Sequence, residues 1–219
     1  MTAEKIEKII VLLENAQRGN ADFMECAKMI ESLKNDASAQ YAKKNGKTDL
    51  QKALGMFMSK SDARPALCKP FTDKSGVVYA TDSYKAIRIK NAAGLKIEKN
   101  NDRFPDLSGF WNDRERCTIV AEFPDLATLE QAFKRAKALK KKSVAVYLEN
   151  GKYLFNAEYL KAAALATGSN VLHLREKTTA PGFVESKDGN VSALLLPLRG
   201  LGAVDGRIDL GGGFVAFDH

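Results

Sequence analysis

Apolar residues recur every three to four positions in several stretches of the chain, and this period predicts amphipathic helices. Two such stretches lie within residues 1–45 and are separated by Gly19, so they predict a helical hairpin appended to the rest of the chain. Three further stretches begin after Asp49, Asp125 and Asn156, residue types whose side chains commonly cap the first turn of a helix.

Between the helical stretches, short apolar or alternating runs bounded by turn residues predict β-strands. Asp73 to Gly76 and Glu149 to Gly151 supply the turn chemistry between neighbouring runs. Strands and helices do not alternate as a parallel sheet would require, so we expect an α+β protein with helices packed on antiparallel sheets. The predicted strands are residues 66–71, 77–80, 84–89, 118–123, 143–148, 152–155, 171–175, 182–186 and 192–198.

The chain has a formal net charge of +7 and a sequence pI near 9.2, which favours a polyanionic partner such as nucleic acid. In the helix after Asp125, Lys134, Lys137 and Lys141 share a side opposite Phe133. This face either contacts phosphates without reading bases, or it is merely solvated, with its last cations suited to the helix dipole. The candidate DNA-binding residues are Lys134, Arg135, Lys137, Lys140, Lys141 and Lys142.

Residues that carry catalysis or bind metals are sparse. Cys26, Cys68 and Cys117 are widely spaced and lack a Cys-x-x-Cys pair, which indicates small buried side chains rather than disulfides or a zinc site. His173 lies in an alternating run typical of a strand, and His219 ends the sequence. We therefore expect no catalytic site, metal or cofactor, and an enzyme of unrelated α+β fold is a further alternative, because catalytic residues can come from distant positions.

The first residues lack the basic, apolar and cleavage-site pattern of a signal peptide. The longest early apolar run, residues 9–13, is too short to span a bilayer. We expect a cytoplasmic protein without a membrane partner.

Three stretches together resemble the bacterial sliding-clamp family, the DNA polymerase III beta subunit. Ala80 to Ala86 resembles the family's Ala-Thr-Asp-Gly-His-Arg-Leu turn, with Ser83 and Tyr84 in place of Gly-His. Residues 104–106 resemble its Phe/Tyr-Pro-Asp segment. Residues 155–160 and 194–199 resemble its closing half-domain, in which an Asn-x-x-Tyr-Leu helix precedes a Met-Pro-Met/Val-Arg strand. The resemblance covers roughly residues 48–199.

The resemblance implies a ring around double-stranded DNA, with basic helices that loosely face the phosphates inside the ring. It also implies an apolar groove on the outside, into which replication or repair proteins insert a short peptide. The helix that bears Lys134 to Lys142 falls where an inner helix is expected. Core packing is the competing interpretation of the groove leucines. The groove residues that the resemblance implies are Thr81, Ser83, Tyr84, Lys85, Ala86, Leu194, Leu196, Pro197, Leu198 and Arg199.

We divide the sequence into a helical extension (1–45), two clamp-like units (46–110 and 111–200) and a glycine-rich tail (201–219) that is irregular or forms an edge strand. Two domains per chain would need three chains for a six-domain homo-oligomeric ring. A clamp-like protein with so few domains suggests a phage or mobile-element source. The expected function is a clamp-like DNA-binding processivity factor in DNA replication. The alternative is a clamp-fold adaptor or inhibitor of replication that does not encircle DNA.

Overall fold

The computed structural model describes residues 50–61, 63–92, 94–98, 100, 103–199 and 206–218. The predicted helical hairpin over residues 1–45 lies outside these ranges. Residues Thr48–His219 cluster as one compact unit. Within the described ranges, no helix combines the length and the apolar character needed to cross a membrane.

The larger of two antiparallel sheets has seven strands in the order β1-β2-β3-β9-β8-β7-β4. It joins strands from both predicted clamp-like units, because β3 pairs with β9. Its strands are β1 (Phe71–Thr72), β2 (Val78–Thr81), β3 (Lys85–Ile89), β4 (Ile119–Glu122), β7 (Val171–Leu174), β8 (Gly182–Glu185) and β9 (Val191–Leu195).

The smaller sheet has four strands in the order β10-β11-β5-β6. Its strands are β5 (Ser143–Leu148), β6 (Tyr153–Asn156), β10 (Ile208–Gly211) and β11 (Phe214–Phe217). The tail, residues 201–219, was expected to be irregular or to form an edge strand. It supplies an edge strand, β10, and also an interior strand, β11, which pairs with β5. Its alternating apolar residues make this possible, since Leu210, Phe214 and Ala216 enter the main core.

The helices are α1 (Leu50–Met56), α2 (Leu126–Ala138) and α3 (Ala157–Thr167), and two 3₁₀ segments span Pro65–Leu67 and Ser108–Arg116. Asp125 caps α2 by accepting a 2.8 Å hydrogen bond from the Thr128 amide, and Asn156 caps α3 by accepting one of 2.8 Å from Glu158. All three helices contribute to one main core with both sheets. The predicted α+β class, with helices packed on antiparallel sheets, is confirmed.

The two faces of the seven-stranded sheet bury different partners, because successive side chains of a strand point to opposite sides. One face gives Ile87 and Leu195 to the main core. The other face carries Ala86, Phe183 and Leu194, which pack in a second cluster with Trp111. Residues 103–116, which we call the strap, supply Trp111 and cover this second face.

Candidate functional site

An apolar cavity of about 270 Å³ opens between the turn after β2, the end of β9 and the strap. Seven of the ten predicted groove residues line it, and the strap adds five more. Its lining consists of Leu67, Thr81, Ser83, Tyr84, Lys85, Ala86, Pro105, Asp106, Leu107, Phe110, Trp111, Leu194 and Leu196.

Side chain–backbone hydrogen bonds shape the turn at one side of the cavity. The Thr81 hydroxyl donates to the Lys85 carbonyl at 2.8 Å and accepts from the Ser83 amide at 3.0 Å. The Asp82 carboxylate accepts from the amides of Tyr84 and Lys85, each at 2.9 Å. Ser83 has a φ of 84°, a left-handed conformation that glycine adopts with less strain. The glycine of the family's motif suits this backbone position.

Strand pairing brings the turn and the distant leucines together. Thr81 lies opposite Ala86, and Ala86 lies opposite Leu194, so the two motifs occupy adjacent strands of one sheet. The Leu196 amide donates to the Tyr84 carbonyl at 2.9 Å and extends the pairing beyond β9. Leu194 and Leu196 share a face as the alternation predicts.

The strap forms the opposite wall through two aromatic residues. Trp111 is only 5% exposed and packs edge-on against Phe183, with 6.1 Å between ring centroids. The Arg88 guanidinium lies over the same indole, 4.8 Å from the ring centroid. The Trp111 indole N–H is buried without a hydrogen-bond partner among the described residues. Phe110 is 52% exposed, and its ring presents apolar surface at the cavity mouth.

Tyr84 forms the other side of the mouth and is 60% exposed. Its ring stacks on Tyr159 at 6.5 Å between centroids, and the Lys85 ammonium lies 4.5 Å from the centroid of Tyr159. Burial raises the pKa of Tyr159 to about 12, with smaller contributions from the charges of Asp82, Tyr84 and Glu158. Two exposed aromatic rings, Tyr84 and Phe110, therefore flank an apolar cavity.

The other three predicted groove residues lie outside the cavity. β9 ends at Leu195, and Pro197 lacks the N–H that a continued strand needs. The chain then turns toward the smaller sheet, where the Leu198 amide donates to the Leu154 carbonyl at 2.8 Å. Leu198 packs on the cluster of Ala145, Leu154 and Phe217. Pro197, Leu198 and Arg199 therefore do not line this cavity, and their place in a peptide groove stays a prediction.

The predicted basic face is also smaller than expected. α2 ends at Ala138, and Lys140 closes it in a left-handed conformation with a φ of 56°. The Lys141 amide bonds the Ala136 carbonyl at 2.9 Å, which is the six-to-one bond of a Schellman ending. Lys140, Lys141 and Lys142 thus follow the helix, and the prediction that Lys141 shares a helical face with Lys134 and Lys137 was wrong.

Two of the six basic side chains already have partners. Lys141 forms an ion pair with Asp218 at 2.8 Å, and the Arg135 guanidinium donates to the Leu210 carbonyl. Hydrogen bonding from Lys141 lowers the pKa of the Asp218 carboxyl. The other four side chains, those of Lys134, Lys137, Lys140 and Lys142, are exposed.

A second cavity of about 1140 Å³ lies against all three helices and shares Tyr84 and Lys85 with the apolar cavity. Met56 and Phe133 give it apolar surface. Its lysines are Lys60, Lys85, Lys137, Lys141, Lys142 and Lys161, and its carboxylates are Asp82 and Glu158. Among the described residues, no group of three or more His, Cys, Asp or Glu side chains is arranged to hold a metal ion.

Comparison with known proteins gives matches among solved structures. The fold is similar to that of bacterial sliding clamps. The beta subunit of DNA polymerase from Streptococcus pyogenes is 13% identical with a TM-score of 0.45, over 69% of this chain and 64% of that one. A sliding clamp from Pseudomonas aeruginosa is 15% identical with a TM-score of 0.47, over 68% and 64%. The Helicobacter pylori beta clamp, solved with a DNA ligase peptide, is 10% identical with a TM-score of 0.47, over 68% and 62%.

The matched region spans less than two thirds of the length of each of these clamps. No protein-family model matches the chain, and no curated protein sequence does.

The sequence pattern did not indicate that the strap forms a wall of the cavity. Pro105 and Asp106 were recognised only as part of a resembling motif, and Leu107, Phe110 and Trp111 were not selected. One signal was available, because Trp111 is the only tryptophan in the chain and tryptophan is enriched at binding surfaces.

Proposed function

We propose that this chain is a clamp-like DNA-binding factor that recruits partner proteins through the apolar cavity beside the Thr81 turn. The observation that carries the proposal is the cavity itself: two motifs more than a hundred residues apart in sequence form one apolar recess. An apolar recess beside the polar groups of a turn offers burial for affinity and hydrogen bonds for orientation. The occupant would be a short apolar peptide from a replication or repair protein.

The amount of burial available sets the expected affinity. A cavity of about 270 Å³ takes one or two apolar side chains, so most of the peptide would stay on the surface. Ordering a flexible peptide offsets part of the gain from burial. We expect a dissociation constant on the order of micromolar.

The second half of the proposal is contact with double-stranded DNA through Lys134, Lys137, Lys140 and Lys142. Their side chains are exposed and come from the end of α2 and the residues just after it. Lysines without a base-reading pattern favour phosphate contacts that are independent of sequence. Lys141 and Arg135 contribute less to this surface, because both already have partners in the fold.

Duplex binding at several salt concentrations tests this half. Replacing Lys134, Lys137 and Lys142 together with glutamate should weaken binding and lower the salt slope by about one unit per lost phosphate contact. The matched control replaces the exposed Lys74, Lys177 and Lys187, which makes the same change in net charge elsewhere. Equal losses in both variants would mean that only net charge matters and that α2 carries no DNA surface.

A ring remains part of the proposal. The seven-stranded sheet ends at β1 and at β4, and each of these strands pairs with a single neighbour within the described part of the chain. Val120 on β4 is 60% exposed. Edge strands with free backbone groups can pair with another chain. Mass measurement in solution, with and without DNA, distinguishes a closed oligomer from a monomer.

An adaptor or inhibitor of replication that does not encircle DNA is the second candidate. The observation that favours it is the neutralisation of Lys141 by Asp218 and the engagement of Arg135, which reduce the basic face. A monomer that binds the peptide but not duplex DNA would support this candidate.

A further inference from the structure

The apolar cavity lies next to the larger cavity against the helices, since Tyr84 and Lys85 line both. Tyr84 is held at this boundary by its stacking on Tyr159. A peptide seated in the apolar cavity can therefore continue across the Tyr84 ring into the second cavity. We call the part of the peptide in the apolar cavity the apolar anchor. The side chains that line the second cavity determine which peptide residues can follow this anchor.

Lysines dominate the lining of the larger cavity. Six lysines and two carboxylates face it. Three of the lysines have carboxylate partners: Lys85 pairs with Asp82, Lys141 with Asp218 at 2.8 Å, and Lys161 with Glu130 at 3.1 Å.

The other three lysines leave an excess of positive charge. Lys60 and Lys137 are exposed and form no ion pair with the described residues. Lys142 is exposed and lies close enough to Asp218 to lower the pKa of its carboxyl slightly, but Asp218 forms its ion pair with Lys141.

The side of the apolar cavity that the strap forms has the reverse charge. Asp106 lines the apolar cavity and also a third cavity of about 350 Å³, which Asp73 and Lys74 line as well. Hydrogen bonds from Ser75 and Ser108 lower the pKa of Asp73 and Asp106 respectively, so both carboxylates are charged at neutral pH. An acidic residue placed on this side would be repelled.

We propose that the partner peptide carries acidic residues on one side of its apolar anchor, and that these residues enter the lysine-lined cavity beyond Tyr84. This inference rests on the proposed function, because the apolar cavity must first hold the anchor. The charge difference between the two sides gives the bound peptide a direction: an acidic flank strengthens binding on one side of the anchor and not on the other. Lys60 and Lys137 are the residues that distinguish an acidic flank from a neutral one.

Short synthetic peptides with one leucine–phenylalanine anchor test the inference by calorimetry on the full chain. Their flanks are Ser-Ser, Glu-Glu or Lys-Lys, placed before or after the anchor. With the Glu-Glu flank on one side only, affinity should rise about two- to fivefold per charge contact at low salt, and the gain should shrink as salt is added. The Lys-Lys flank on that side should bind more weakly than Ser-Ser.

Charge reversal in the protein completes the test. Lys60→Glu combined with Lys137→Glu should abolish the preference for Glu-Glu and leave the affinity for the Ser-Ser peptide nearly unchanged. Lys177→Glu combined with Lys187→Glu is the matched control, because it makes the same change in net charge and neither exposed lysine lines the cavity. It should leave the preference for Glu-Glu intact.

The outcomes separate this inference from the proposed function. If the Ser-Ser peptide binds and Glu-Glu gives no gain on either side, the acidic flank is wrong and the apolar groove stands. A Glu-Glu gain that survives in the Lys60 and Lys137 double variant would also overturn it. If no peptide binds with any flank, both the groove and the inference are wrong.

Discussion

Leu196 and Leu198 lie two residues apart in the sequence, but they occupy different sites in the structure. Leu196 lines the apolar cavity and is partly buried, whereas Leu198 packs on Ala145, Leu154 and Phe217 at the smaller sheet. Leu196→Ala should therefore weaken peptide binding, and Leu198→Ala should weaken the fold instead. The family resemblance implied the same groove role for both, with core packing as the competing interpretation.

The size of each effect follows from burial. Truncating Leu196 removes apolar surface that a bound peptide would cover, which should cost about 1–2 kcal/mol of binding, or roughly 5- to 30-fold in affinity. Leu198→Ala should cost about 1–2 kcal/mol of stability, because its side chain is only partly buried. Leu195→Ala is the reference for a core residue: it is 0% exposed and should cost about 2–5 kcal/mol.

Peptide affinity by calorimetry and unfolding in urea, measured on the same three variants, separate the two roles. We expect Leu196→Ala to lose affinity with a nearly unchanged midpoint of unfolding. We expect Leu198→Ala to lose stability while the folded fraction binds as the wild type does. Equal losses of affinity in Leu196→Ala and Leu198→Ala, with both proteins folded, would refute the assignment of Leu198 to the smaller sheet.

Three further predictions concern stability. Burial is the main cause that lowers the pKa of His173, and the charge of Arg114 adds to it. The imidazole of His173 therefore binds a proton less tightly in the folded state than in the unfolded state. Stability should thus fall as the pH drops below about 6.5, and His173→Gln should flatten that fall in urea titrations; an unchanged pH profile would contradict it. Lys140 has a left-handed backbone, so Lys140→Gly should have a free energy of unfolding up to about 1 kcal/mol higher than that of Lys140→Ala, and equal free energies of unfolding in urea would argue against the Schellman ending. Gly168 ends α3 with a φ of 68°, so Gly168→Ala should cost about 1 kcal/mol in urea unfolding, whereas no loss would mean that this turn is not left-handed.

Sequence periodicity predicted most of the fold, because helices and strands leave different apolar spacings. The caps at Asp125 and Asn156 begin α2 and α3 as expected. The glycine-rich end was harder to predict. Of its two strands, β10 pairs with β11, and β11 pairs with β5, which lies more than sixty residues earlier in the sequence.

Local pattern could predict only part of the candidate site. The turn at Thr81 and the leucines of β9 were selected together through a resemblance, and strand pairing does bring them together. The strap could not be predicted to line the cavity, because its residues reach the sheet through irregular and 3₁₀ backbone that has no simple period. The pairing of Lys141 with Asp218 depends on where β11 ends, so charge counting along one helix overestimated the basic face.

The central claim is that the recess between the Thr81 turn and the strap binds an apolar peptide. Trp111, the chain's only tryptophan, lies in the wall of that recess, so its fluorescence reports on this site alone. Titration with the leucine–phenylalanine peptide should give a saturable change in Trp111 emission in the wild type, and Leu196→Ala should shift that curve to higher peptide concentration. Emission that stays constant while calorimetry detects binding, or a curve that Leu196→Ala leaves unmoved, would contradict the claim.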